Sequence, residues 1–482
     1  MEKYQIARKY RMKTLTIAKF GGSALGVNGS SIPKVIERIK EMLKGEKVVA
    51  VFSAPFATYN NKTRSLTDIA LEIGRSYAKA EPVDIEVLRE VYQDIASKYM
   101  NETYRKEFLP MLDGLYRQVI TALKQTMEYK RFVDVTRAKA LAYSGEIAIS
   151  YAMDYAMKSN GINSSHADLN SWPIITDDNF EGANFLLEES RNASKNLLEL
   201  IENNDVISIG GFIGKTIDGL ETTYERGGSD RTAADLAILL GGSFEVKVDF
   251  EKDSAVLSAD PKIVKDDLEH ITSLSYNEAK LAGRFGMKIL DPIAIKEIEE
   301  NNLDIPLVIT DMRNPANITT IRREAQSSNE NPLKIVTGKK KCAVVRMEAT
   351  AASHMRVALQ RDKRYGDFVQ LSPYMKDHTE MSRILFLDAD YVKRNERHFR
   401  AYDSKAEIVY ERGVVTLIGD EMWKVPKIAS IASSTVGDND INILNMDAQE
   451  ETSRILIVVD DKGENVENAI RAIHMKRKEI RP

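Results

Sequence analysis

Five short apolar runs limit, more than any other feature, what this chain can fold into: TLTIAKF from Thr14, KVVAVFS from Lys47, NDVISIG from Asn204, FEVKVDF from Phe244 and IPLVITD from Ile305. All are of strand length, and four of them end in, or run straight into, glycine, serine or aspartate. Helical spacing fills several of the gaps between them. In SIPKVIERIKEMLKG, Pro33 suits a first helical turn and Gly45 a C-terminal cap. Strand, glycine, helix and strand in succession build a parallel sheet covered by helices. The pattern holds from Thr14 to about Thr310, so an α/β fold is expected there: an open, mostly parallel sheet sandwiched by helices.

The remainder of the 482 residues reads differently. From Pro82 to Lys130 apolar residues recur every three or four positions with no strand-like run, which predicts two or three helices, an insert whose plainest role is packing or oligomer contact. The polar stretch EAQSSNENP, Glu324 to Pro332, is a candidate linker. Beyond it, KCAVVRMEA and SRILFLDADYV belong to one small unit. ERGVVTLIGD, KVPKIASIASSTVGD, INILNMDA, SRILIVVDD and NVENAIRAIHMKRK form a second. The second reads strand, helix, strand, strand, helix: a ferredoxin-like α+β unit lacking its last strand, which is either short or supplied by another unit. The expected domains are therefore 14–323, with the insert at 82–130, then 333–410 and 411–482.

Composition narrows the function classes. A formal charge of −4 gives no reason to expect a nucleic acid partner. One cysteine, Cys342, rules out an internal disulfide or a cysteine-clustered metal site, and the six histidines show no metal-ligand spacing, so no protein metal site is expected. No apolar run has the length to span a bilayer, and the basic N-terminus lacks a small-residue cleavage signal, so no membrane association and a cytoplasmic location are expected.

Three segments carry the chemistry. In AKFGGSALG a strand runs into Gly21 and Gly22, with Lys19 and Ser23 on either side. Paired glycines let backbone N–H groups approach a ligand, so this is either a phosphate cradle or an ordinary tight turn beside a solvated lysine. In ISIGGFIGKTIDGLETTYERGGSDRTAADLA a second glycine pair, Gly210 and Gly211, ends a strand, and Arg226, Gly227, Gly228, Ser229 and Asp230 open a helix. Ser229 or Asp230 can cap that helix, and Arg226 can grip a carboxylate with two parallel hydrogen bonds. In AYSGEIAIS, Glu146 opens another helix, where it either favours the helix dipole or binds an ammonium group.

In this order and at this spacing, KFGGSA, SGE, GGFIG and RGGSDRTAADLA, followed by SADPKIV and LSYNEAKLAGRFGMKILDP, closely resemble the aspartate kinases of the amino acid kinase superfamily. The resemblance covers about Thr14 to Thr310, and the C-terminal units look like that family's tandem ACT domains. It implies transfer of the γ-phosphoryl group of ATP, with Mg²⁺, to the side-chain carboxylate of L-aspartate, giving 4-phospho-L-aspartate on the way to lysine, threonine, methionine and isoleucine. By the same resemblance Lys19 and Asp230 are catalytic, and Lys19, Gly21, Gly22, Ser23, Gly210, Gly211, Lys262 and Lys288 face the nucleotide. Ser53, Thr63, Glu146, Arg226, Gly227, Gly228, Ser229 and Asp230 hold the substrate. An amino-acid effector, lysine or threonine, and a homo-oligomer joined through the ACT-like units are implied as well. The chain departs from the family where a threonine–aspartate pair becomes Glu251 and Lys252, a tyrosine becomes Leu257, an arginine becomes Lys262, a histidine–proline becomes Asp291–Pro292 and a proline–glycine becomes Pro426–Lys427. The competing readings are a superfamily kinase of glutamate or acetylglutamate, and an amino-acid-binding regulatory protein without catalysis.

Overall fold

The computed structural model describes residues 13–225, 227–287, 289–325, 331–361, 367–449 and 452–480. The chain divides into two compact units, one of residues 1–255 with 293–322, the other of 256–292 with 323–482.

The strands of the first unit are β1 (Thr14–Phe20), β2 (Lys47–Phe52), β3 (Ser164–His166), β4 (Val206–Gly210), β5 (Glu245–Lys252), β6 (Leu307–Asp311) and β7 (Ile318–Arg322). They lie side by side in the order β7-β6-β5-β1-β2-β4-β3. All pair in parallel except β6 with β7. The five apolar runs are therefore strands of one mostly parallel sheet. They are apolar throughout because helices cover both faces: Val48 to Phe52 and Val206 to Gly210 are buried without alternation.

The helices follow from spacing and caps. α1 (Ile32–Met42) has Pro33 in its first turn as expected, but it closes at Leu43, two residues before the anticipated Gly45 cap. α2 (Leu66–Ala78) starts at Ser65, whose hydroxyl accepts from the Asp68 N–H. The insert is α3 (Val87–Tyr99) and α4 (Glu102–Tyr129). α5 (Asp134–Ser144) and α6 (Glu146–Ser159) follow, separated by Gly145 alone. α7 (Gly228–Leu240) is buried along its whole length.

In the second unit, α8 (Tyr276–Arg284) opens with a reciprocal Ser275–Glu278 capping box. A six-stranded antiparallel sheet follows: β8 (Ile335–Glu348), β9 (Phe368–Lys376), β10 (Thr379–Phe386), β11 (Glu407–Ile418), β12 (Ile443–Gln449) and β13 (Arg454–Asp460), in the order β9-β10-β8-β11-β13-β12. α9 (Ala349–Arg361), α10 (Ile428–Asp438) and α11 (Asn465–Lys476) complete the ACT-like α+β pattern. The strand that the last ferredoxin-like repeat lacks comes from the first half of β8: Ile335 to Lys339 pair with Ile418 to Val414, while Ala343 to Glu348 pair with β10. β8 thus serves both small units through two register shifts, between Lys339 and Cys342 and between Cys342 and Val344, and the limit expected at residue 411 falls inside the continuous strand β11. Lys427, where the resembling family carries glycine, takes a left-handed φ of 73° at the start of α10.

Candidate active site

In the first unit the strand order reverses at β1. The chain leaves β1 for β2 and the strands beyond it, then returns to β5 on the other side. In open α/β sheets the crevice at such a reversal, beyond the carboxyl ends of the strands, is where ligands collect. Lys19 is the last residue but one of β1 there, and Ser53 follows β2, its N–H donating to the Phe20 carbonyl at 3.0 Å.

The glycines at this edge act through close approach more than through unusual torsions. Gly21 has ordinary extended torsions and Gly22 begins a single helical turn. A Cβ on Gly22 would instead come within 2.5 Å of the Ala54 carbonyl oxygen. A Cβ on Gly210 would meet the Glu146 carbonyl oxygen at 2.7 Å, and one on Gly211 would meet the Ser229 Cβ at 2.6 Å. The end of β4 is thus pressed against the first residues of both α6 and α7, which sets the spacing of Glu146 and Asp230.

The start of α7 differs from the expected cap. Neither Ser229 nor Asp230 caps it; Gly227, with φ of 94°, precedes the helix, and the two side chains lie within its first turn. Asp230 is left to pair with lysines instead. Its Oδ1 lies 2.8 Å from the Lys19 Nζ, and its Oδ2 lies 3.6 Å from the Lys252 Nζ at the end of β5. A carboxylate in the first turn of a helix also sits in the favourable end of its dipole. Ser229 is buried beside it.

Glu146 occupies the matching place on α6. It is 3% exposed; the Ala54 N–H donates to its Oε1 at 3.3 Å, and its buried Oε2 has no hydrogen-bond partner among the described residues. Burial pushes its pKa up to about 7, against the opposite pull of the Ala54 N–H, its own N–H, the Thr67 hydroxyl and the Lys19 charge. The loop before it is held from the insert: the fully buried Tyr92 of α3 donates to the Ser144 and Gly145 carbonyls, at 2.9 and 2.8 Å.

Thr63 does not join this group. It is exposed on a hairpin, opposite Thr58, and Thr67 in the first turn of α2 is the threonine that acts on Glu146. The sequence signal for it was present, a threonine opening the helix in SLTDIALEIG, but the intervening hairpin hid it. On the far side of β5, Glu251 is buried with its Oε1 taken by the Arg38 Nε at 2.7 Å; burial and the Asp249 charge push it up to about 8. Lys262 is an exposed residue of the second unit, its N–H bound to the Asp260 carboxylate at 2.8 Å in the turn at Pro261. Arg226 and Lys288 lie outside the described residues.

A parallel sheet with charged side chains and helix starts gathered at its reversal point is the arrangement at which open α/β proteins bind ligands. The model of the amino acid kinase family matches residues 14–311, and the chain belongs to that family. Among curated relatives it is 23% identical to a bifunctional aspartokinase/homoserine dehydrogenase of Buchnera aphidicola, covering 95% of this chain and 56% of that protein. It is 26% identical to an aspartokinase of Helicobacter pylori, covering 68% of this chain and 81% of that one. The chain spans about half the length of the bifunctional relatives it matches. The fold is that of Escherichia coli aspartokinase III, solved with aspartate and ADP: TM-score 0.75 at 16% identity, over 96% of this chain and 99% of that one.

Proposed function

We propose that this protein is an aspartate kinase, transferring the γ-phosphoryl group of ATP to the side-chain carboxylate of L-aspartate. The observation that carries the reading is the pairing of Lys19 with Asp230 at the sheet reversal, with the buried carboxylate of Glu146 on the neighbouring helix start. The substrate has one ammonium and two carboxylates. Glu146, with one oxygen unpaired, suits the ammonium, and Arg226, by its place in RGGSD, suits a carboxylate. Ser53, Thr67, Gly227, Gly228 and Ser229 line the substrate side, and Gly21, Gly22 and Ser23 beside Lys19 the phosphate side. Lys262 and Lys288 belong to the nucleotide side in this reading.

Phosphoryl transfer asks little covalent chemistry of a protein, so positioning and neutralisation of charge dominate. Lys19, oriented by Asp230, sits where negative charge grows on the leaving phosphate. The nucleotide would bring Mg²⁺ on its phosphates, and Asp230, with one oxygen beside Lys19 and the other beside Lys252, serves to orient the lysines. When bound, the metal neutralises phosphate charge. The second unit, with its ACT-like pattern, would take an amino-acid effector such as lysine or threonine and join subunits into a homo-oligomer.

The test is ADP release by the purified chain with ATP and Mg²⁺, followed with aspartate, with glutamate and with no acceptor. Release that requires aspartate is expected. Glutamate-dependent release would assign a different acceptor, and no release would point to a binding protein; either result overturns the proposal.

A further inference from the structure

We infer that Lys252 is a second catalytic lysine, placed to meet the transferring phosphoryl group opposite Lys19; this rests on the phosphoryl-transfer reading above. β1 and β5 are adjacent and parallel, with Lys19 beside Phe250 and Phe20 beside Glu251. Their carboxyl ends flank the sheet reversal, and each end supplies one lysine. Both ammonium groups converge on a single carboxylate, Lys19 at 2.8 Å and Lys252 at 3.6 Å, one on each oxygen of Asp230. Their side chains are 13% and 25% exposed, so both cations reach the surface yet are largely shielded from water.

The neighbouring residue argues against an incidental lysine. Successive side chains of a strand point to opposite faces, and Glu251 turns to the other face, where Arg38 binds it. The carboxylate next in sequence is thus engaged elsewhere, while Lys252 turns toward Asp230. The resembling family carries a threonine–aspartate pair at these two positions, so this chain has exchanged an acidic group for a basic one at the ligand edge.

In the step, an oxygen of the substrate carboxylate bonds to the γ-phosphorus as the bond from that phosphorus to the β–γ bridging oxygen breaks. The bridging oxygen leaves with the electron pair on ADP, and no proton changes hands. Lys252 offsets charge on the phosphoryl oxygens that Lys19 does not reach.

The experiment compares the full chain with Lys252→Met, Lys252→Gln and Lys252→Arg in steady-state kinetics, with ADP affinity measured separately by calorimetry. Met and Gln should lower kcat by about 100-fold, the usual loss for one electrostatic donor to a transition state. The aspartate KM and the ADP Kd should stay within about fivefold, since an interaction made only in the transition state leaves ground-state binding alone. Arginine should restore at least about tenfold of the lost kcat by keeping the charge. If Met folds poorly, Gln and Arg give the same comparison. A kcat within about threefold of the parent, or a loss confined to ADP affinity, overturns the assignment. A parent chain without aspartate-dependent ADP release instead overturns the kinase reading itself, so the two failures are distinct.

Discussion

Glu146 concentrates the energetics of the site in one residue. Its pKa of about 7 means that the free protein gives up substrate affinity as the carboxylate takes a proton. An ammonium group binds the ionised form, so kcat/KM for aspartate should fall as pH drops through about 7, approaching tenfold per pH unit. Glu146→Gln should raise the aspartate KM and remove that acid limb; a limb that survives the substitution assigns the titration to another group. The same shift has a stability sign. The folded pKa lies above the unfolded one, so the stabilising contribution is complete below the ordinary glutamate range and is lost as pH rises through about 7. Glu146→Gln should therefore melt at a higher temperature than the parent at pH 8, by calorimetry. Glu146 was legible in the sequence because a glycine and a helix start frame it. Thr67 was not, because Thr63 stands a few residues earlier in equally plausible surroundings, and only the hairpin register exposes Thr63 to solvent.

At the level of elements, the helical insert has a use that periodicity could not reveal. Three- and four-residue spacing predicts α3 and α4 and their apolar faces, and both helices form. Spacing says nothing about one tyrosine hydroxyl inside that face. Tyr92 binds the two carbonyls that join α5 to α6, directly before Glu146, and so ties the insert to the substrate side. Tyr92→Phe keeps the ring and takes the tyrosine donor from the Ser144 and Gly145 carbonyls, of which Gly145 keeps the Ile149 N–H at 3.0 Å; a hydrogen bond lost in this way costs about 1 kcal/mol. The expected signature is a rise in aspartate KM of about tenfold with the nucleotide KM unchanged, read from initial rates. Equal rises in both would make Tyr92 a general packing residue. The helix caps show the converse error. Ser229 and Asp230 have the composition of capping residues, but the left-handed Gly227 starts α7 without a side-chain cap, and the ion pair with Lys19 claims Asp230.

Across the whole molecule, the sequence suggested one catalytic stretch to residue 323, followed by regulatory units, yet residues 256–292 fold with the C-terminal part. The segment was illegible as such because its contacts are long-range and carry no local pattern. Ala259 and Val264 sit in one core with Val336, Ile428 and Ile473. Polar contacts fasten the same segment: the Ser258 hydroxyl meets the His474 Nε2 at 2.8 Å and accepts from the Glu269 N–H at 2.9 Å, and the Ser258 carbonyl accepts from the Val336 N–H at 2.9 Å. Glu278 binds the Lys334 ammonium at 2.8 Å and accepts from the Asp420 N–H at the same distance. Ser258→Ala removes the contact to the buried His474 of α11 and takes the acceptor from the Glu269 N–H, a loss of about 1–3 kcal/mol. Thermal unfolding should register that loss as a lower melting temperature, with Ser258→Thr, which keeps a hydroxyl, falling less than Ser258→Ala. Equal melting temperatures for the parent and Ser258→Ala would show that this contact does not hold residues 256–292 to the core around Val336 and Ile473.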